Sequence, residues 1–177
     1  MSTHRRDLLK GALGAAGLTA LGGPAFASAA APRSLSLVNL HTGEALKAVY
    51  WEAGQYIPDA MAALNRVLRD HRTGEVHSIA PGLLDLVTTL TQRLETQQTV
   101  QVISGYRSPK TNAALHQASS GVATRSLHMQ GQAMDLRIGG VELTRVRDAA
   151  LSLQRGGVGF YPGSNFVHVD IGRVRRW

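Results

Sequence analysis

The run Ala133-Met-Asp-Leu-Arg-Ile138 sets a carboxylate in the middle of a short apolar segment, and this placement constrains the fold more than any other feature of the chain. A segment of this length and composition reads as a strand. A carboxylate inside a buried strand is strongly unfavourable unless it is paired or bound to a cation. The fold must therefore bring a partner to Asp135. A second strand-like run, Phe166-Val-His-Val-Asp170, carries His168 and Asp170 two residues apart, so both point to the same side. A third stretch, Ser126-Leu-His-Met-Gln-Gly131, puts His128 after a Ser-Leu turn and lets Gly131 make a tight bend just before the Asp135 strand. A lone histidine in a Val-His-Val strand is ordinarily a satisfied or exposed residue. The cost of leaving Asp135 unpartnered makes metal binding the better reading here. His128, Asp135 and His168 supply the three nitrogen and oxygen ligands of a hydrolytic Zn²⁺ site, which binds at roughly 2.0–2.2 Å and keeps a fourth position open for water.

With no cysteine among 177 residues, the chain has neither disulfides nor thiolate ligands, so a metal must be held by nitrogen and oxygen. Residues 1–27 read as an export leader of the twin-arginine type. Arg5-Arg6 precede a Gly/Ala/Leu stretch, and Ala25-Phe-Ala27 is a small-x-small cleavage site, with Ala27-Ser-Ala29 as the alternative. That stretch is marginal for a span of roughly 20 apolar residues, so no stable membrane insertion is expected after cleavage. The expected location is periplasmic. Removing the leader leaves enough chain for one domain with a real core and a net charge of about +5. This surface suits either plain solubility or contact with anionic polymers. Nucleic acid is not expected as a partner, because aromatic residues do not interleave with the basic ones.

Leu35–Leu40 and Ala45–Trp51 are strand candidates joined by the turn His41-Thr-Gly-Glu44. Pro58 followed by Met61, Leu64, Val67 and Leu68 predicts a helix over 58–72, ended by Gly74. Pro81 opens a second helix with a broad leucine face, and Thr99–Ser104 reads as a strand. Ser108-Pro109 has the cap-then-proline signature of a short helix, and Ala118–Arg125 reads as loop. The remainder predicts strand 132–138, a helix near 143–154, and strands 157–161 and 166–171, with the metal residues on the sheet. Strands with interspersed helices and a hairpin indicate α+β architecture. His41, His71, His77 and His116 fall in turns or a helix and read as solvated or structural. Gly156, Gly157 and Gly159 fit tight packing better than a phosphate loop. The closing Arg173-Val-Arg-Arg-Trp177 reads as a basic contact strip or a docked tail.

The pattern Ser126-x-His128-x-x-Gly131-x-Ala133-x-Asp135, with His168 later, resembles the M15 peptidases. From Leu35 to Trp177 the chain is similar to the DUF882 branch of that group, the murein endopeptidase-like proteins. The similarity runs through Asn39–Glu44, Ser104–Ser108, Arg155–Gly159 and Ser164–Asp170. The resemblance implies a hedgehog/D,D-peptidase-like fold, a central antiparallel-rich sheet with flanking helices, over residues 35–177. It also implies Zn²⁺, peptidoglycan peptides as substrate and amide hydrolysis without a covalent intermediate. Arg107 would hold a substrate carboxylate, a task for which guanidinium geometry is suited, and Ser126 would hydrogen-bond a ligand or substrate. Related enzymes place an acid three residues before the last histidine, where this chain has Asn165. Asp170 then becomes the substitute for water activation; its residue type and position also allow support of His168, or neither role. The departure at Asn165 leaves one alternative: a non-catalytic, zinc-stabilised module that binds murein or a protein.

Overall fold

The computed structural model describes residues 31–119 and 121–177. The expected leader over 1–27 lies outside these residues. The elements run in order β1 (Arg33–Asn39), β2 (Ala45–Glu52), β3 (Gln55–Tyr56), α1 (Pro58–Val67), α2 (Pro81–Arg93), β4 (Val100–Ser104), α3 (Pro109–Ala118), β5 (Ala133–Ile138), α4 (Leu143–Leu153), β6 (Gly157–Tyr161), β7 (Phe166–Asp170) and β8 (Arg175–Arg176). Short 3₁₀ turns occupy Leu127–Gln130 and Pro162–Ser164. Among the described residues no helix is long and apolar enough to cross a membrane.

The strands form one sheet in the order β3-β2-β1-β4-β5-β7-β6-β8. Among the described residues only β1 with β4 and β6 with β8 pair in parallel. The expected mixed, antiparallel-rich architecture is therefore present. The β1–β2 hairpin turns through residues 41–44, where the Asn39 side-chain oxygen accepts from the backbone N–H groups of His41 and Thr42.

The first helix is shorter than the periodicity predicts. It stops at Val67 because one interaction from far along the chain and one local turn compete with its next turn. The Leu68 carbonyl accepts from Tyr106 N at 2.7 Å, and the Asp70 carboxylate accepts from Arg72 N and Thr73 N, folding the chain into a turn. In α2, Leu83, Leu84, Leu86, Val87 and Leu90 are buried, and the helix packs on β1 and α4. In turn α4 covers β5, β6 and β7, and α1 lies on β2. The Ser108 hydroxyl caps α3, accepting from Thr111 N at 3.2 Å.

Register matters more for the site than element boundaries do. Ser104 pairs with Asp135, Asp135 with His168, and His168 with Gly159, a transverse row across β4, β5, β7 and β6. The alternate residues Met134, Leu136, Val167 and Val169 are buried in the hydrophobic core. The pleat sends apolar side chains into that core and leaves the row on the opposite face.

Candidate metal centre

Asp135 and His168 stand side by side because their strands pair in that register. The sheet does not carry His128, contrary to the expectation that all three would lie on strands. It sits in the 3₁₀ turn Leu127–Gln130, which the Ser126 hydroxyl opens by accepting from His128 N at 3.3 Å. Gly131 ends that turn with φ +64°, and a Cβ there would collide with the Ser78 carbonyl. The turn thus returns the chain into β5 with the His128 ring over the row.

All three side chains are buried, and one ligand atom from each lies within 4.8 Å of the others. The contacts are His128 Nε2 to Asp135 Oδ1 at 3.2 Å, His168 Nδ1 to the same oxygen at 2.8 Å, and the two ring nitrogens to each other at 3.2 Å. Hydrogen bonding on the far side of each ring fixes which nitrogens carry protons. Nδ1 of His128 faces the Gly105 carbonyl at 2.7 Å, an acceptor, so Nδ1 donates and Nε2 keeps its lone pair. Nε2 of His168 faces Asp170 Oδ2 at 3.1 Å, again an acceptor, so Nδ1 keeps its lone pair. Two imidazole lone pairs and a carboxylate oxygen therefore point at one another. Like partial charges this close are unfavourable without a positive centre between them. The donor set and its outer partners fit a divalent ion.

The charges around the cluster act in the same sense. Burial alone would push the His168 pKa down, but its contacts with the Asp135 and Asp170 carboxylates outweigh this and raise it. Burial alone would raise Asp135, yet His128 and His168 hold it well below the usual carboxylate range. The centre favours positive charge.

Asp170 is 0% exposed and its carboxylate is fully engaged. Besides His168, it accepts from Arg175 Nη1 and Nη2 at 3.1 and 2.6 Å, from Gly157 N at 2.9 Å and from Gly172 N at 2.8 Å. It stands behind His168 and does not line the cleft. With these contacts no lone pair of Asp170 is left to face a water on the open side. Asn165 is exposed in the left-handed region with φ +55°. Among the described residues the cleft is lined by one carboxylate, Asp135.

The cleft measures about 530 Å³ and also takes in Arg107, Arg125, Ser126, Tyr161 and Trp177. Arg107 Nη2 sits 3.5 Å from both Ser104 Oγ and Asp135 Oδ2. Its Nε is buried with no hydrogen-bond partner among the described residues. A half-buried guanidinium with a buried, unmatched Nε donor is suited to an incoming anion. Ser126 lines the cleft, with its hydroxyl committed to capping the turn. His41 and His71 stack at 3.8 Å, His77 stacks on Tyr106 at 4.6 Å and His116 bonds the Val122 carbonyl, so none joins the cluster. Sequence reasoning missed Tyr161, Arg175 and Trp177 as parts of the site. The tail Arg173–Trp177 is docked against β6, and its only advance signal was the pairing of a basic run with a terminal tryptophan.

Comparison with known proteins agrees with the motif resemblance. The chain is 49% identical over 178 residues to the peptidoglycan L,D-endopeptidase MepK of Escherichia coli K12, covering 98% of this chain and 97% of that protein. The MepK of Shigella flexneri matches to the same extent. The probable peptidoglycan L,D-endopeptidase MepK of Haemophilus influenzae is 42% identical over 154 residues, covering 86% and 83% of the two chains. A family model described as peptidoglycan L,D-endopeptidase MepK matches residues 27–177, and the chain belongs to that family, Peptidase_M15_2.

Proposed function

We propose that this chain is a zinc-dependent peptidoglycan L,D-endopeptidase, exported by a leader over residues 1–27 and acting in the periplasm through a domain spanning 35–177. The observation that carries the reading is the convergence of three lone-pair ligands from His128, Asp135 and His168 beside half-buried Arg107, whose buried Nε has no hydrogen-bond partner among the described residues. The names of the relatives supply the bond class, which the motifs left open between D,D and L,D cross-links. A hedgehog/D,D-peptidase-like arrangement of the sheet and helices goes with this reading.

Zinc, when bound, would polarise the scissile carbonyl and acidify a water. His128, Asp135 and His168 hold it. The Gly105 carbonyl and Asp170 hold the two rings in the ligating tautomer, and Arg175 locks Asp170 in place. Arg107 pairs with a carboxylate of the peptide and sets the scissile amide over the ligand cluster, while Ser126 shapes the adjacent wall. Asp170 acts here as a positioning residue.

The test is to incubate the mature, zinc-loaded protein with purified peptidoglycan and to identify released muropeptides by mass spectrometry, with His168→Ala as control. Fragments from L,D cross-links that vanish in the control are expected. Intact cross-links despite stoichiometric zinc would replace this reading with a murein-binding module.

A further inference from the structure

The side chain of Trp177 belongs to no step described so far, yet it is built into the cleft wall. Its backbone pairs with β6, Trp177 N donating to Val158 O at 3.2 Å and Phe160 N donating to Trp177 O at 3.0 Å. Its indole Nε1 donates to Tyr161 Oη at 2.6 Å, and the Arg175 guanidinium lies 4.8 Å over the ring. The ring centroid is 5.2 Å from that of His168. Gly159, the partner of His168 in the transverse row, makes this possible. A Cβ at Gly159 would stand 2.7 Å from indole Cε2 and 2.8 Å from Nε1, too close to coexist with the ring. Despite these contacts Trp177 is 50% exposed and lines the cleft. A large aromatic surface held by three neighbours and still open to the cleft is a recognition platform, because its rigidity lowers the entropy cost of contact.

We propose that Trp177 is a substrate-binding residue that packs against an aliphatic segment of the peptide next to the scissile amide. This rests on the endopeptidase reading. Extended peptide advances roughly 3.3–3.6 Å per residue, so an indole 5.2 Å from a ligand ring reaches one or two residues from the bond held there. The neighbouring sugar offers similar C–H surface but joins the substrate farther from the cross-link.

The experiment has two arms. In the zinc-loaded enzyme, Trp177→Ala raises KM for a cross-linked muropeptide about fivefold to tenfold while Trp177→Phe stays within about threefold of wild type. Zinc affinity, measured by chelator competition, is the same in all three. In the second arm Trp51→Phe leaves Trp177 as the lone tryptophan, excited selectively at the red edge beyond tyrosine absorption, and the free stem peptide, lacking sugar, quenches or shifts its emission. This arm decides the matter if Trp177→Ala fails to fold. An unchanged KM in folded Trp177→Ala, or emission that responds to sugar-bearing muropeptide but not to free stem peptide, would overturn the proposal. Failure of the wild-type enzyme to cut anything, with emission still responding to stem peptide, would sink the endopeptidase reading and leave the contact standing.

Discussion

Two carboxylates drawn away from water, half-buried Asp85 on α2 and buried Asp135 on β5, are met in opposite ways. Asp85 is surrounded by donors: Tyr50 Oη at 2.9 Å, Tyr56 Oη at 2.8 Å and Arg33 Nη1 at 2.7 Å. Burial works to raise its pKa, but these partners hold it below the ordinary value. The node is complete as protein alone and ties β1, β2 and β3 to α2. Asp135 is instead faced by two imidazole nitrogens whose protons are spent on outer acceptors, with its one cationic neighbour, Arg107, at 3.5 Å. That node is incomplete as protein alone. The first arrangement holds elements together; the second is shaped to take a cation. Burial of a charge therefore says little by itself, and the identity of the groups turned towards it separates structure from chemistry.

The largest effect should come from emptying the second node. Asp135→Ala is expected to lose stoichiometric zinc and at least about a hundredfold of cross-link cleavage, with an unchanged circular dichroism spectrum. Retention of zinc in that variant would break the contrast. Asp170→Asn tests the outer partner of His168. It keeps the side-chain shape but removes the charge that orients the ring, so zinc affinity should fall about 10–100-fold in chelator competition. Asp85→Asn should cost about 2 kcal/mol of unfolding free energy in denaturant titration, while zinc affinity and turnover per folded molecule stay at wild-type values. A parallel loss of zinc affinity would show that the two nodes are coupled.

The smallest effect concerns the stacked pair His41 and His71. Burial, and then the charges of His41 and Arg72, push His71 down from 6.5 to about 4. The unfolded chain therefore binds a proton in that interval that the folded chain does not. This contribution favours folding above pH 6.5 and is lost progressively as pH falls towards 4. His71→Gln should flatten the stability profile in this window without altering zinc uptake at pH 7.

Much of the site could be read in advance because its chemistry is local. The cap Ser126, the bend Gly131 and the isolated carboxylate Asp135 lie within one short stretch, and the strand period places His168 and Asp170 on one side. Element positions were legible for the same reason, from proline starts and apolar periodicity. The end of α1 was not, since Tyr106, far along the chain, takes the Leu68 carbonyl that helical continuation would need. Nor was the division of labour at Asp170. In sequence it is equally a base and a support, and only the arrival of Arg175, Gly157 and Gly172 commits its lone pairs.

The sequence by itself determined which residue types can bind a metal, that thiolates are excluded, and that Asp135 must find a positive partner. Tertiary structure decided the rest: the register that sets Asp135 beside His168, the proton positions on both rings, and the docking of Trp177 over Gly159. The reason is physical. Residue chemistry and short-range periodicity are properties of neighbouring residues, whereas lone-pair direction and access depend on atoms brought together from distant parts of the chain.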